Sequence, residues 1–167
     1  MDRKRLKPFL WIVAAVFLGF LFWVIVLKFG LSTLTLSGER TPVNLIPFGG
    51  SVISNGRIGI TEIIENVLIF IPFGICLSML GLPRSAWLKI VCGLVLSILF
   101  EAIQYVFCAG SADITDVITN TLGAALGVLA YVPLGKALKE KTELILGVCI
   151  LVLTVFFTAA FAFLTNQ

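Results

Sequence analysis

Between Ser97 and Gly127 the chain reads SILFEAIQYVFCAGSADITDVITNTLGAALG, and this stretch holds Glu101, Gln104, Asp113, Asp116 and Asn120. Carboxyls exchange protons, hold cations and accept hydrogen bonds; amides both donate and accept. Their surroundings are almost wholly apolar. A charge at the centre of a membrane helix costs roughly 2.5–3.5 kcal/mol by insertion scales, so such groups persist where they face one another, a cavity or a site. Upstream, Glu62, Glu65 and Asn66 form a second polar group at the start of another apolar run.

The elements that position these groups must be membrane helices. The chain has 167 residues, 59% of them hydrophobic and only 13% charged; its mean hydropathy is +1.12. A soluble domain carries about 25% charged residues, so this chain could not cover its own surface in water. The composition predicts an all-α polytopic membrane protein of one domain, residues 1–167, with the lipid bilayer as its first partner. There is no histidine, which removes the usual zinc ligand, the usual base near neutral pH and any Ser-His-Asp triad. No basic stretch is interleaved with stacking aromatics, so no nucleic-acid partner is expected. Cys76, Cys92, Cys108 and Cys149 lie in apolar runs without metal-type spacing and read as small packing residues. No motif implies a cofactor.

About five helices are expected. Residues 2–8, DRKRLKP, are basic and precede an apolar run over 9–29, too long for a signal-peptide core and long enough to cross. Trp11 and Trp23 lie toward its two ends and suit the interfacial belts. Residues 30–61 are irregular: Pro42, Pro47 and Gly49-Gly50 forbid a long helix. The apolar piece VNLIPF within them suits a segment on or dipping into the membrane, or a loop covering helix ends. Further helices are expected over 62–82, kinked near Pro72 and Gly74, and over 86–109, 113–134 and 143–164. In the last, Thr154 and Thr158 can bond their own backbone.

Charge orients the bundle. With a cytoplasmic N-terminus, the inside holds Arg3, Lys4, Arg5, Lys7, Arg84, Lys89, Lys136, Lys139 and Lys141, and the outside only Lys28, Arg40 and Arg57. That distribution obeys the positive-inside rule. It also brings Glu65, Asn66, Glu101, Gln104, Asp113, Asp116 and Asn120 to the outer leaflet. Gly93, Ser97, Glu101, Gln104 and Cys108 repeat at helical spacing, as do Asp113, Asp116, Asn120, Gly123 and Gly127. The small residues Gly93, Ser97, Gly123 and Gly127 predict close packing of these two faces on each other. A hairpin about Gly110-Ser111 would pair Glu101 with Asn120 and Gln104 with Asp116 or Val117. Such a set suits a polar zipper between helices or a binding site. Arg57 is the expected counter-charge; an oxygen-ligated Mg²⁺ or Ca²⁺ would suit the residue mix, though no spacing is diagnostic of a metal.

These residues carry a resemblance. Asn44-Leu45-Ile46-Pro47-Phe48, Glu65-Asn66-Val67, Phe70-Ile71-Pro72-Phe73-Gly74, Glu101-x-x-Gln104 and Asp113-Ile114-Thr115-Asp116-Val117-Ile118-Thr119-Asn120-Thr121 with Gly123 resemble the VanZ family across residues 40–130. The resemblance implies a small multi-pass protein of the bacterial cytoplasmic membrane, linked to low-level resistance to teicoplanin, a lipid-tailed glycopeptide. It implies no catalytic residues. Many family members carry an arginine near the position of Gly110 or Ser111; the small residues here shift the counter-charge to Arg57 or Arg40. The expected function is non-enzymatic: an outer-leaflet polar pocket that binds a lipid-linked envelope precursor or the lipoglycopeptide. The alternative is a membrane enzyme that modifies a lipid-linked envelope substrate with paired carboxylates such as Asp113 and Asp116.

Overall fold

The computed structural model describes residues 3–27, 43–48, 53–54, 57–58 and 60–165, and the side chains of these except at 3–5, 53–54, 57–58 and 164–165. Five long helices dominate: α1 (Arg3–Ile25), α2 (Ile60–Leu80), α3 (Ala86–Val106), α4 (Ile114–Leu138) and α5 (Thr142–Thr165). A two-residue hairpin, β1 (Ile53–Ser54) and β2 (Arg57–Ile58), precedes α2, with Ile53 opposite Ile58 and Ser54 opposite Arg57. Four stretches are long and apolar enough to cross a membrane, the fourth being Ile114–Phe163, 50 residues long. At 1.5 Å rise per residue that fourth stretch exceeds twice the roughly 30 Å hydrocarbon core. It holds both α4 and α5, broken by a 3₁₀ turn at Lys139–Lys141, where Lys139 takes φ +52°. The expected five crossings are therefore these five helices.

Helix ends follow local chemistry more than apolar length. α1 begins at Arg3 rather than residue 9, because the basic run continues the helix outward, and it stops at Ile25 rather than 29. The carbonyl of Ile25, the last residue of the helix, accepts from the Gln104 side chain at 2.9 Å. α2 closes at Leu80 with Gly81 at φ +67°, Gly81 N–H bonded to Ser78 and Leu82 N–H to Leu77. That is the Schellman pattern, in which a left-handed residue satisfies the last carbonyls. α3 ends at Val106, three residues before expectation, by the same pattern: Cys108 takes φ +51°, its N–H meets Tyr105, and Ala109 N–H meets Gln104. A cysteine in that conformation is uncommon, which is why Gly110 reads as the turn from sequence. α4 runs past the expected end at 134 to Leu138, with Pro133 inside it.

α2 lies at the centre and touches each of the other four helices. One stripe of α1 is buried: Leu6, Leu10, Val13, Phe17 and Leu21, spaced at helical intervals. Phe70 of α2 is fully enclosed and meets Phe100 of α3 edge-on at 6.4 Å. Gly147 of α5 seats Phe9 and Val13 of α1, and near the opposite ends Trp23 meets Phe161 at 5.4 Å. α1 and α5 thus run parallel, as two crossings in the same direction must. Thr154 and Thr158 donate to the carbonyls of Ile150 and Thr154. The four cysteines are free.

The closest seam differs from the expected one. A Cβ at Gly123 would strike the Val67 carbonyl, one at Gly127 the Ile71 carbonyl, and one at Gly74 the Ala124 carbonyl. Gly123 and Gly127 therefore seat α2, which runs parallel to α4, and not α3. Gly93 does face α4, at Ala124, and Ser97 meets Asn120. α4 carries two adjacent small faces: Gly123 and Gly127 toward α2, Asn120 and Ala124 toward α3. Successive residues on a helix point about 100° apart, and a single periodic reading merges such neighbouring stripes.

Candidate functional site

The polar side chains gather at one end of the bundle, where α1, α3 and the segment 43–48 finish or turn and α2 and α4 begin. The start of α4 organises them. Asp113 is its N-cap, with φ −129° and ψ 126°, and its Oδ1 accepts from Thr115 N–H at 2.8 Å. Its Oδ2 accepts from the Asn44 side-chain amide at 3.1 Å. Its backbone N–H donates to Glu101 Oε2 at 2.9 Å. Asp113 is buried, and so is Glu101. A helix N-terminus leaves its first N–H groups unpaired, and two carboxylates on or beside that positive end are well placed.

Segment 43–48, the NLIPF piece, is stitched onto the same helix start. Asn44 N–H donates to Ala112 and Ile114 N–H donates to Asn44, at 2.9 and 3.0 Å, forming one parallel bridge beside Asp113. Asn44 Oδ1 accepts from Ile46 N–H at 3.1 Å, turning the chain, and Phe48 N–H reaches Thr115 Oγ1 at 3.0 Å. The backbone is thus fixed while its apolar side chains face outward: Leu45 is 72% and Ile46 70% exposed.

On the neighbouring edge, Asn66 of α2 donates to Asp116 Oδ1 at 2.8 Å. Both are only half-buried, and Glu65 beside them is exposed. Deeper, Asn120 donates to Ser97 Oγ at 2.9 Å. Asn120 is 1% exposed, and its Oδ1 has no hydrogen-bond partner among the described residues.

The structure therefore collects Asn66, Glu101, Gln104, Asp113 and Asp116 at one end, with pairings other than those expected. Glu101 meets the Asp113 N–H rather than Asn120, and Gln104 meets the end of α1 rather than Asp116. The cause is the early end of α3: residues 107–112 form a wider turn, which slides α4 so that Ser97, not Glu101, lies level with Asn120. The side chains of Arg57 and Arg40 lie outside the described residues. No group of three His, Cys, Asp or Glu side chains able to hold a metal occurs among the described residues. Asn44 and Thr115 belong to this constellation and escape a reading based on charge. Asn44 did show a signal, because an Asn before an apolar run and a proline is a turn former.

The VanZ/LLP1 family profile matches residues 12–138. Protein VanZ of Enterococcus faecium is 38% identical over 149 residues, covering 83% of this chain and 86% of that protein. No solved structure matches.

Proposed function

The chain belongs to the VanZ/LLP1 family, and from that premise we propose that it acts in the bacterial cytoplasmic membrane as a low-level resistance factor against teicoplanin-type glycopeptides. Its polar end faces outward and binds the lipid-tailed drug or a lipid-linked envelope component. One observation carries this reading. The hydrogen-bonded pair Asn66–Asp116 stays partly open at the same bundle end where Leu45 and Ile46 are held exposed by a fixed backbone. A ligand with a polar head and an acyl tail needs both surfaces together.

The polar groups divide by depth: Asp113 is buried, whereas Asp116 is half-buried and Glu65 exposed. Both Asp113 oxygens are engaged with Thr115 and Asn44, which suits a structural post more than one member of an acid–base pair. Asp116 and Glu65, at the rim, are the side chains placed to meet a ligand.

The test uses a glycopeptide-sensitive Gram-positive host that expresses wild type, Asp116→Asn, Glu101→Gln or empty vector at matched membrane levels. Asparagine keeps the acceptor that Asn66 needs, and glutamine keeps the acceptor for Asp113 N–H, so each variant removes charge and spares the hydrogen bond. Wild type is expected to raise the teicoplanin inhibitory concentration with little change for vancomycin, and Asp116→Asn to abolish that protection. Full protection by Asp116→Asn at wild-type levels would overturn the role given to the polar end.

A further inference from the structure

The opposite end of the bundle holds a cavity of about 470 Å³, where the start of α1, the end of α2, the turn after it and the start of α5 converge. Its wall includes Lys7, Arg84 and Glu143 together with Leu10, Trp11 and Leu82. We propose that this cavity is a binding site for the headgroup of an anionic phospholipid in the membrane leaflet at the basic end.

Lys7 comes from α1 and Arg84 from the turn between α2 and α3, and both line one space. Neither makes an ion pair with a carboxylate among the described residues, and both side chains are exposed. A guanidinium donates two parallel hydrogen bonds to a phosphate, and an ammonium adds a point charge beside it. Basic pockets between membrane helices on the cytoplasmic side take anionic headgroups for this reason. The apolar side of the wall extends toward the surrounding lipid: Trp11 is 55% and Leu82 51% exposed, and tryptophan favours headgroup depth. The volume falls in the roughly 300–1,000 Å³ of small-ligand sites, which suits a headgroup with its chains lying outside along α1 and α2. The proposal is independent of the resistance reading, because it concerns the other end of the molecule.

Full-length protein in detergent is titrated with phosphatidylglycerol or phosphatidylcholine, and retained lipid is counted by native mass spectrometry. Phosphatidylglycerol is expected to be retained over phosphatidylcholine. Lys7→Gln and Arg84→Gln are each expected to weaken its binding about fivefold. Lys136→Gln, an exposed lysine at the same end but outside the cavity, is expected to leave it within about twofold. Glycerol 3-phosphate, which has the phosphate without the chains, is expected not to compete. Equal weakening by Lys136→Gln would overturn the site in favour of diffuse attraction. Equal retention of phosphatidylcholine would overturn the charge selectivity, and competition by glycerol 3-phosphate would make the cavity a soluble-anion site. Both cavity variants alter exposed side chains, and an unchanged melting temperature checks that they fold as wild type.

Discussion

Replacing Asp113 by alanine removes two acceptors at once, the cap for Thr115 N–H and the anchor for the Asn44 amide. Loss of a helix cap costs about 0.5–2 kcal/mol, and loss of the Asn44 hydrogen bond adds about 0.5–1.5 kcal/mol. Asp113→Ala is therefore expected to lower the melting temperature in detergent and to open residues 43–48 to protease. Asparagine caps a helix as well as aspartate does but cannot accept on both sides, so Asp113→Asn should fall between alanine and wild type. A wild-type melt for Asp113→Ala would show that the clamp contributes nothing. Asp116→Asn should behave in the reverse sense, keeping stability and losing resistance. Together the two substitutions separate the carboxylate that builds this end from the one offered to a ligand. The sequence made both visible as costly charges near hydrocarbon. It did not rank them, because the ranking depends on Asn44 and Asn66, which lie 69 and 50 residues away along the chain.

At the scale of the element, the seam between α2 and α4 is the most sensitive place to add volume. A Cβ at Gly127 meets the Ile71 carbonyl, which is backbone and cannot turn aside. Gly127→Ala is expected to cost about 1–3 kcal/mol, the usual range for overpacking, read as a lower melting temperature. Gly19→Ala in α1 is the control: nothing lies within 4 Å of that position, so the helix preference of alanine over glycine, about 0.5–1 kcal/mol, should show as neutral or slightly raised stability. If both substitutions behaved alike, close approach would not be the reason for glycine in α4. The helices themselves are legible from composition, because apolar runs of this length have few alternatives. Their pairing is less so. α2 and α4 are neighbours in space but not in sequence, and Gly74 beside Pro72 looks like a kink until Ala124 is placed against it. Segment 43–48 follows the same rule. Its apolar character is plain in NLIPF, whereas its seat on the start of α4 rests on backbone hydrogen bonds that leave no periodic trace.

For the whole molecule, the order of helices and the distribution of charge make one joint prediction. α1 and α5 are parallel, the polar groups collect at one end, and Lys7 and Arg84 meet at the other. The positive-inside rule then puts Lys139–Lys141 in the cytoplasm and the chain's final residue outside, with the polar end outside as well. Reporter fusions test this directly. Alkaline phosphatase, active only outside, should be active when fused after Gln167 and inactive when fused after Lys141; green fluorescent protein, bright only inside, should give the opposite pattern. The fusion after Gln167 also decides whether Ile114–Phe163 crosses once or twice, since a single crossing from an outer start at Ile114 would leave that junction inside. A phosphatase active at Lys141 and silent at Gln167 would invert the bundle. The five-helix packing would survive that result unchanged, because it rests on contacts between helices and not on the membrane's polarity. The resistance reading would not survive it. A glycopeptide arriving from outside would then meet the lysines and arginines, and Asn66, Asp116 and the exposed Leu45 and Ile46 would lie in the opposite leaflet, out of its reach.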